Sequence, residues 1–174
     1  MTNRIIFRIL AALMAIVSIV IVYQHIKATE VDMVLSCRNE LVAKNPNSDT
    51  IEHHSLIADF TLQKRSASIS YRYFTTDGNP IATLYLTGDV LSAYKEKDTY
   101  ILNLTHNELI RHNTELPLPQ HASHLEAFAK RNISKKGVHN LTIQITNRNA
   151  QQNTVLLYFL PSTNICACNL VEMK

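Results

Sequence analysis

The sequence predicts an α+β protein: one N-terminal transmembrane helix, then a mostly antiparallel, curved β-sheet or barrel carrying one or two helices. Three observations predict it. The first 27 residues form one apolar rod, the apolar residues from Ser55 onward recur mostly with period two, and the stretch from Ala122 to Ile133 returns to the helical period. The chain therefore divides into 1–27, a cytoplasmic head and anchor, and 28–174, a single α+β domain of about the modal domain size.

From Ile5 to Tyr23 only Arg8 and Ser18 interrupt the apolar run. Nineteen residues at a rise of about 1.5 Å span roughly 28 Å, close to the hydrocarbon core of a bilayer. Arg8 lies one turn from the start, where it can snorkel to the surface. A cleaved secretory signal is the competing reading, but such signals carry a shorter apolar region and small residues at the cleavage site, whereas bulky Ile26 stands two positions before Ala28. Arg4 and Arg8 in the head, with no acidic partner, favour a cytoplasmic N-terminus. In a bacterial inner membrane the remaining domain would be periplasmic.

Charge excludes one class of partner. The chain has 17 Lys and Arg against 14 Asp and Glu, and Arg4, Arg8 and Lys27 account for the whole excess. The domain beyond the anchor is neutral, without the clustered basic footprint of a nucleic-acid binder, so no direct DNA or RNA contact is expected.

After the anchor, Val31, Val34, Leu35, Leu41 and Val42 recur at helical spacing, which predicts a helix ended by Asn45-Pro46-Asn47-Ser48. Two half-buried strands follow. Leu56, Ala58, Phe60 and Leu62 alternate with polar neighbours, as do Ile69, Tyr71 and Tyr73. The turn Thr76-Asp77-Gly78-Asn79-Pro80 feeds a long run from Ile81 to Tyr94 with a bulge or break at Gly88-Asp89. Beyond the polar turn at residues 95–98, Tyr100, Leu102 and Leu104 mark a further strand before the loop of Pro117 and Pro119. Ala122, Leu125, Phe128, Ala129 and Ile133 define an amphipathic helix ended near Gly137. Leu141, Ile143 and Ile145 begin another strand. Val155 to Leu160, apolar on both faces, reads as a central strand closed by Pro161, and Ile165 to Val171 is the last. About seven strands joined mostly by hairpin-length turns imply an antiparallel sheet, and curvature or closure would hide its edges.

Cys37, Cys166 and Cys168 all lie beyond the anchor, where an oxidising compartment permits disulfides. On a strand Cys166 and Cys168 share one face about 6.6–6.8 Å apart, a poor geometry for bonding to each other. Cys37 should therefore pair with Cys166 or Cys168.

Motifs for chemistry are sparse. There is no GxSxG or SxxK, and with three glycines in the chain no phosphate-cradling loop. Of eight histidines, His53-His54 and His121 with His124 form pairs without a third ligand at motif spacing, so no metal site, catalytic residue or cofactor is expected. What remains is a concave apolar interior. Phe60, Tyr71, Tyr73, Tyr85, Tyr100, Leu102, Tyr158 and Phe159 could line a cavity for an amphipathic small molecule, or simply pack as a core.

The order of these features, a short basic head, one anchor, the Ser36-Cys37-Arg38 element, a β-rich domain and a terminal Cys166-Ala167-Cys168 strand, resembles the FidL-like family of small enterobacterial inner-membrane proteins. The resemblance runs over nearly the whole chain. It implies an accessory partner, similar to the ToxS and VtrC partners, of a membrane-anchored winged-helix transcription regulator. In some such pairs the periplasmic domains form a shared lipocalin-like barrel that takes up bile salts. The expected role is thus heterodimeric signal transduction at the inner membrane, with a ligand sensor and an envelope-assembly or structural protein as the alternatives.

Overall fold

The computed structural model describes residues 2–28, 31–44, 51–160 and 162–171, with side chains for all of these except 2–6, 9, 25–28 and 44. The helix-stopping run Asn45 to Ser48 and the strand-closing Pro161 lie outside the described residues.

Helix α1 spans Thr2–Ala28, about 40 Å at the α-helical rise. Its described side chains are largely apolar and exposed, among them Phe7, Leu10, Met14, Ile19 and Val22. Among the described residues no helix is long and apolar enough to cross a membrane; the side chains of Ile5, Ile6 and Ile9, which contribute to the expected span, lie outside them.

The rest is a closed antiparallel barrel of eight strands in up-and-down order, as in a lipocalin-like barrel. The strands are β1 (Val31–Lys44), β2 (Ile51–Lys64), β3 (Ser66–Thr75), β4 (Pro80–Tyr94), β5 (Thr99–Arg111), β6 (His139–Asn149), β7 (Thr154–Leu160) and β8 (Asn164–Val171). Helix α2 (Gln120–Lys136) is inserted between β5 and β6. Alternation decides what faces inward: in β2, Leu56, Ala58, Phe60 and Leu62 are buried while the residues between them are partly exposed.

Two expectations need correction. The helix expected over the first stretch after the anchor is strand β1. Its apolar residues satisfy both periods, but Met33 and Cys37 complete the alternation Val31, Met33, Leu35, Cys37, all buried, against outward Asp32, Ser36, Arg38 and Glu40. Pairing with β2 along its whole length, and with β8 beside it, outweighs a marginal helical stripe. Strand β7, expected to be buried on both faces, buries Val155, Leu157 and Phe159 but leaves Leu156 and Leu160 on the outside, because none of the described residues packs over the outer wall of the barrel there.

Other local signals take the expected form. The ladder between β4 and β5 shifts register at Thr87/Gly88, where a Cβ on Gly88 would lie 2.0 Å from the carbonyl oxygen of Asn103. The chain reverses after β4 through a 3-10 turn at Lys95–Lys97, and Asp98, in the left-handed region, is held by two hydrogen bonds from Arg148. Gly137 ends α2 at φ 77°, its N–H donating to the carbonyl of Ile133.

The first and last strands close the barrel through a short seam. Four pairs, from Val34↔Val171 to Cys37↔Cys168, join β1 to β8. The last of them is the disulfide Cys37–Cys168, which leaves Cys166 as a free thiol. Selection of Cys168 over Cys166 follows from register, since Cys168 stands directly opposite Cys37 whereas Cys166 lies beyond the last pair, where its Sγ accepts from Asn39 Nδ2 at 3.4 Å.

Candidate functional site: a cavity at one end of the barrel

The two ends of the barrel are built differently. Around the start of β1 the interior is filled: Leu35, Leu62, Ile69, Leu86, Val90, Leu102, Ile143 and Leu157 are almost wholly buried. Around the end of β1 a cavity of about 700 Å³ opens. Its floor is aromatic and aliphatic: Phe60 stacks on Phe159 with ring centroids 5.3 Å apart, meets Tyr71 edge-on at 6.1 Å, and is flanked by Leu56 and Ala58.

The mouth exists because the seam stops. Beyond Cys37↔Cys168, β1 continues along β2 and β8 continues along β7, but among the described residues they no longer pair with each other. Asn39, Glu40 and Leu41 on one side and Asn164, Ile165 and Cys166 on the other line this opening. Across from it, α2 supplies His121, Leu125 and Phe128, and the start of β6 supplies His139 and Leu141.

Helix α2 is fastened over this end by polar contacts as well as packing. Ala122 and Ala129 are fully buried beneath it. Tyr73 Oη and His121 Nδ1 are hydrogen-bonded at 2.9 Å, and Asn132 Nδ2 and His139 Nδ1 lie 3.1 Å apart. Phe128 stands edge-on to the His139 ring at 5.3 Å. Burial pushes His139 below the ordinary histidine range, and burial together with the neighbouring His124 does the same to His121. Burial, then the nearby Cys166, pushes the Tyr71 hydroxyl well above the ordinary tyrosine value, and Tyr73 is raised by burial and by Tyr71. These groups are neutral hydrogen-bonding partners near pH 7.

Of the eight residues expected to line a cavity, the structure brings Phe60, Tyr71 and Phe159 together on its floor, with Tyr73 beside them in the wall bonded to His121. The other four belong elsewhere. Leu102 is packed in the filled end and Tyr100 lies near Asp98 and Arg148, at the rim of that end. Tyr85 and Tyr158 alternate with buried Leu84, Leu86, Leu157 and Phe159, so they face outward. Asn39 and Leu41 escaped the sequence reading because β1 was taken as a helix. Leu125 and Phe128 carried a signal, the apolar stripe of α2, but nothing in the sequence says that this stripe covers the end of a barrel.

The paired histidines do not converge. His53 Nδ1 lies 3.1 Å from Glu40 Oε1 on the outer wall, while His54 points inward. Among the described residues no three His, Cys, Asp or Glu side chains are grouped to hold a metal ion.

The cavity can enclose an apolar body and offer it a few uncharged polar groups. Comparison of the sequence with protein-family models finds no match, and comparison with curated proteins finds none either.

Proposed function

We propose that this chain is a membrane-tethered sensory module: its barrel takes up one amphipathic small molecule at the hollow end, and α1 holds it at the bacterial inner membrane with the barrel in the periplasm. The cavity carries this reading. A void of about 700 Å³ on an aromatic floor, polar at its rim and open through a gap in the seam, is of the size that encloses a small ligand. The anchor is supported by the exposed apolar side chains along α1 and by the two arginines of its N-terminal head. Thermal unfolding of the full chain in lipid nanodiscs, with bile salts, fatty acids and fatty alcohols, tests the reading. A rise in midpoint with at least one class is expected, and no shift with any would overturn it.

A second reading, that the barrel serves as the accessory partner of a membrane-anchored winged-helix transcription regulator, is favoured by the same gap. The free edges of β1 and β8 beyond the disulfide, together with exposed Leu156, Leu160 and Ile165 on the adjoining outer wall, offer backbone and apolar surface to another protein. Affinity purification of the tagged full chain from membranes should recover a membrane-bound winged-helix protein. Recovery of unrelated partners alone would sink this reading.

A further inference from the structure

The polar groups of the cavity define the chemistry of what it holds. Among the described residues that line it, none is Lys or Arg, and the sole carboxylate is Glu40, on the outward face of β1 at the rim. The uncharged hydrogen-bonding groups are Tyr71, His121 and His139 within, with Asn39, Ser162, Asn164 and the Cys166 thiol toward the mouth. Several are already engaged: His121 with Tyr73, His139 with Asn132, and Asn39 with Cys166. Tyr71 differs. Its ring stands against Phe60 on the cavity floor, and among the described residues its hydroxyl has no hydrogen-bond partner.

A hydroxyl placed among apolar side chains is stabilised by a partner that enters with a ligand. The ordinary reading of such a tyrosine is a core aromatic whose hydroxyl meets solvent through the mouth; its ring against Phe60 on the cavity floor, with its hydroxyl toward the cavity and the Cys166 thiol nearby, favours the ligand-reading role. A carboxylate brought to the same place would be desolvated with no cation to balance it. A hydroxyl or carbonyl oxygen on an otherwise apolar body meets no such cost.

We infer that the cavity selects amphiphiles whose inner end carries an uncharged oxygen, read by the Tyr71 hydroxyl on an aromatic floor, and discriminates against a buried anionic end. This rests on the binding reading above and names the class of ligand for that site. Burial of Tyr71 and His139 agrees with it, since both are held in their neutral forms.

Cys166, the free thiol in the cavity, reports occupancy without an engineered label. The full chain, disulfide intact, is reconstituted in lipid nanodiscs, and the rate of Cys166 alkylation by N-ethylmaleimide is followed by mass spectrometry at pH 7.5. The probes are 1-decanol and decanoate at matched free concentrations. Decanol is expected to slow alkylation at a concentration roughly tenfold or more below that needed for decanoate. Tyr71→Phe, which removes only the hydroxyl, should raise the decanol concentration required by roughly three- to tenfold and leave decanoate unchanged. Protection by decanoate at equal or lower concentration overturns the ligand class while leaving binding intact. Protection by decanol that Tyr71→Phe does not alter overturns the role of Tyr71. No protection by either amphiphile, or a thiol that the reagent never reaches, overturns the binding reading itself.

Discussion

The two ends of this barrel share strands, alternation and a common wall, yet one is filled and the other hollow. At the filled end, branched aliphatic side chains from all eight strands meet, and the seam is complete through the Cys37–Cys168 bridge. At the hollow end β5 and β6 part to admit α2, and β1 and β8 part beyond the bridge. The difference shows how one sheet supports both a filled core and an open cavity. Residues that satisfy each other across the interior give rigidity, while residues that face a helix laid over the opening leave room.

Loss of the bridge should have the largest effect. The chain-entropy model for a loop of 131 residues gives about 5 kcal/mol, and the measured loss for Cys37→Ala is expected at about 3–5 kcal/mol in urea unfolding. Cys37→Ala is preferred to a change at Cys168 because the latter leaves Cys166 available to Cys37. A loss below about 1 kcal/mol would mean that the seam holds without its staple. Non-reducing peptide mapping should find Cys37 joined to Cys168.

Truncation at the two ends should then separate them. Leu102→Ala, at a site with no exposed surface, is expected to cost about 2–5 kcal/mol, while Leu125→Ala, which enlarges a void already open, should cost about 1 kcal/mol. Equal losses by urea unfolding would break the contrast. Tyr73→Phe removes the hydrogen bond between wall and lid and should cost about 1 kcal/mol, with faster amide exchange confined to α2.

Acid should act on the hollow end with the smallest effect. His139 is buried and its folded value lies below the unfolded one of about 6.5, so the unfolded chain binds the proton more readily. Its contribution is present above that pH and lost as the pH falls through the folded value. His139→Asn should flatten the fall in stability between pH 7.5 and 5 relative to the parent; parallel profiles would show that another group titrates there. His121, more exposed, should contribute less because solvent screens it.

Much of the filled end is legible in the sequence. Period-two alternation in β2, β3 and β5 identifies Leu62, Ile69, Leu102 and Leu104 as inward residues, and the bulge at Gly88 follows from local backbone chemistry. The hollow end is less legible because it depends on long-range pairing. Whether Asn39 and Leu41 reach an interior depends on β1 being a strand, and a helical period fits its apolar residues nearly as well. Tyr85 and Tyr158 have the same composition as true lining residues and differ from them only in parity, which register alone decides.

The order of elements also fixes a polarity. Helix α1 ends at Ala28 and β1 begins at Val31 in the filled end, so the chain enters the barrel at the end opposite its opening. The roughly eight to ten strand residues from Val31 to the opening at residues 39–41, tilted as in a closed barrel, separate the two by about 20–25 Å. Were α1 to lie in a bilayer, as proposed above, a molecule would reach the cavity from the aqueous side rather than by sliding sideways out of the lipid. A barrel held in the proposed way would sample what is dissolved beyond the membrane, at concentrations set by solubility and transport and not by partitioning into the leaflet beneath it.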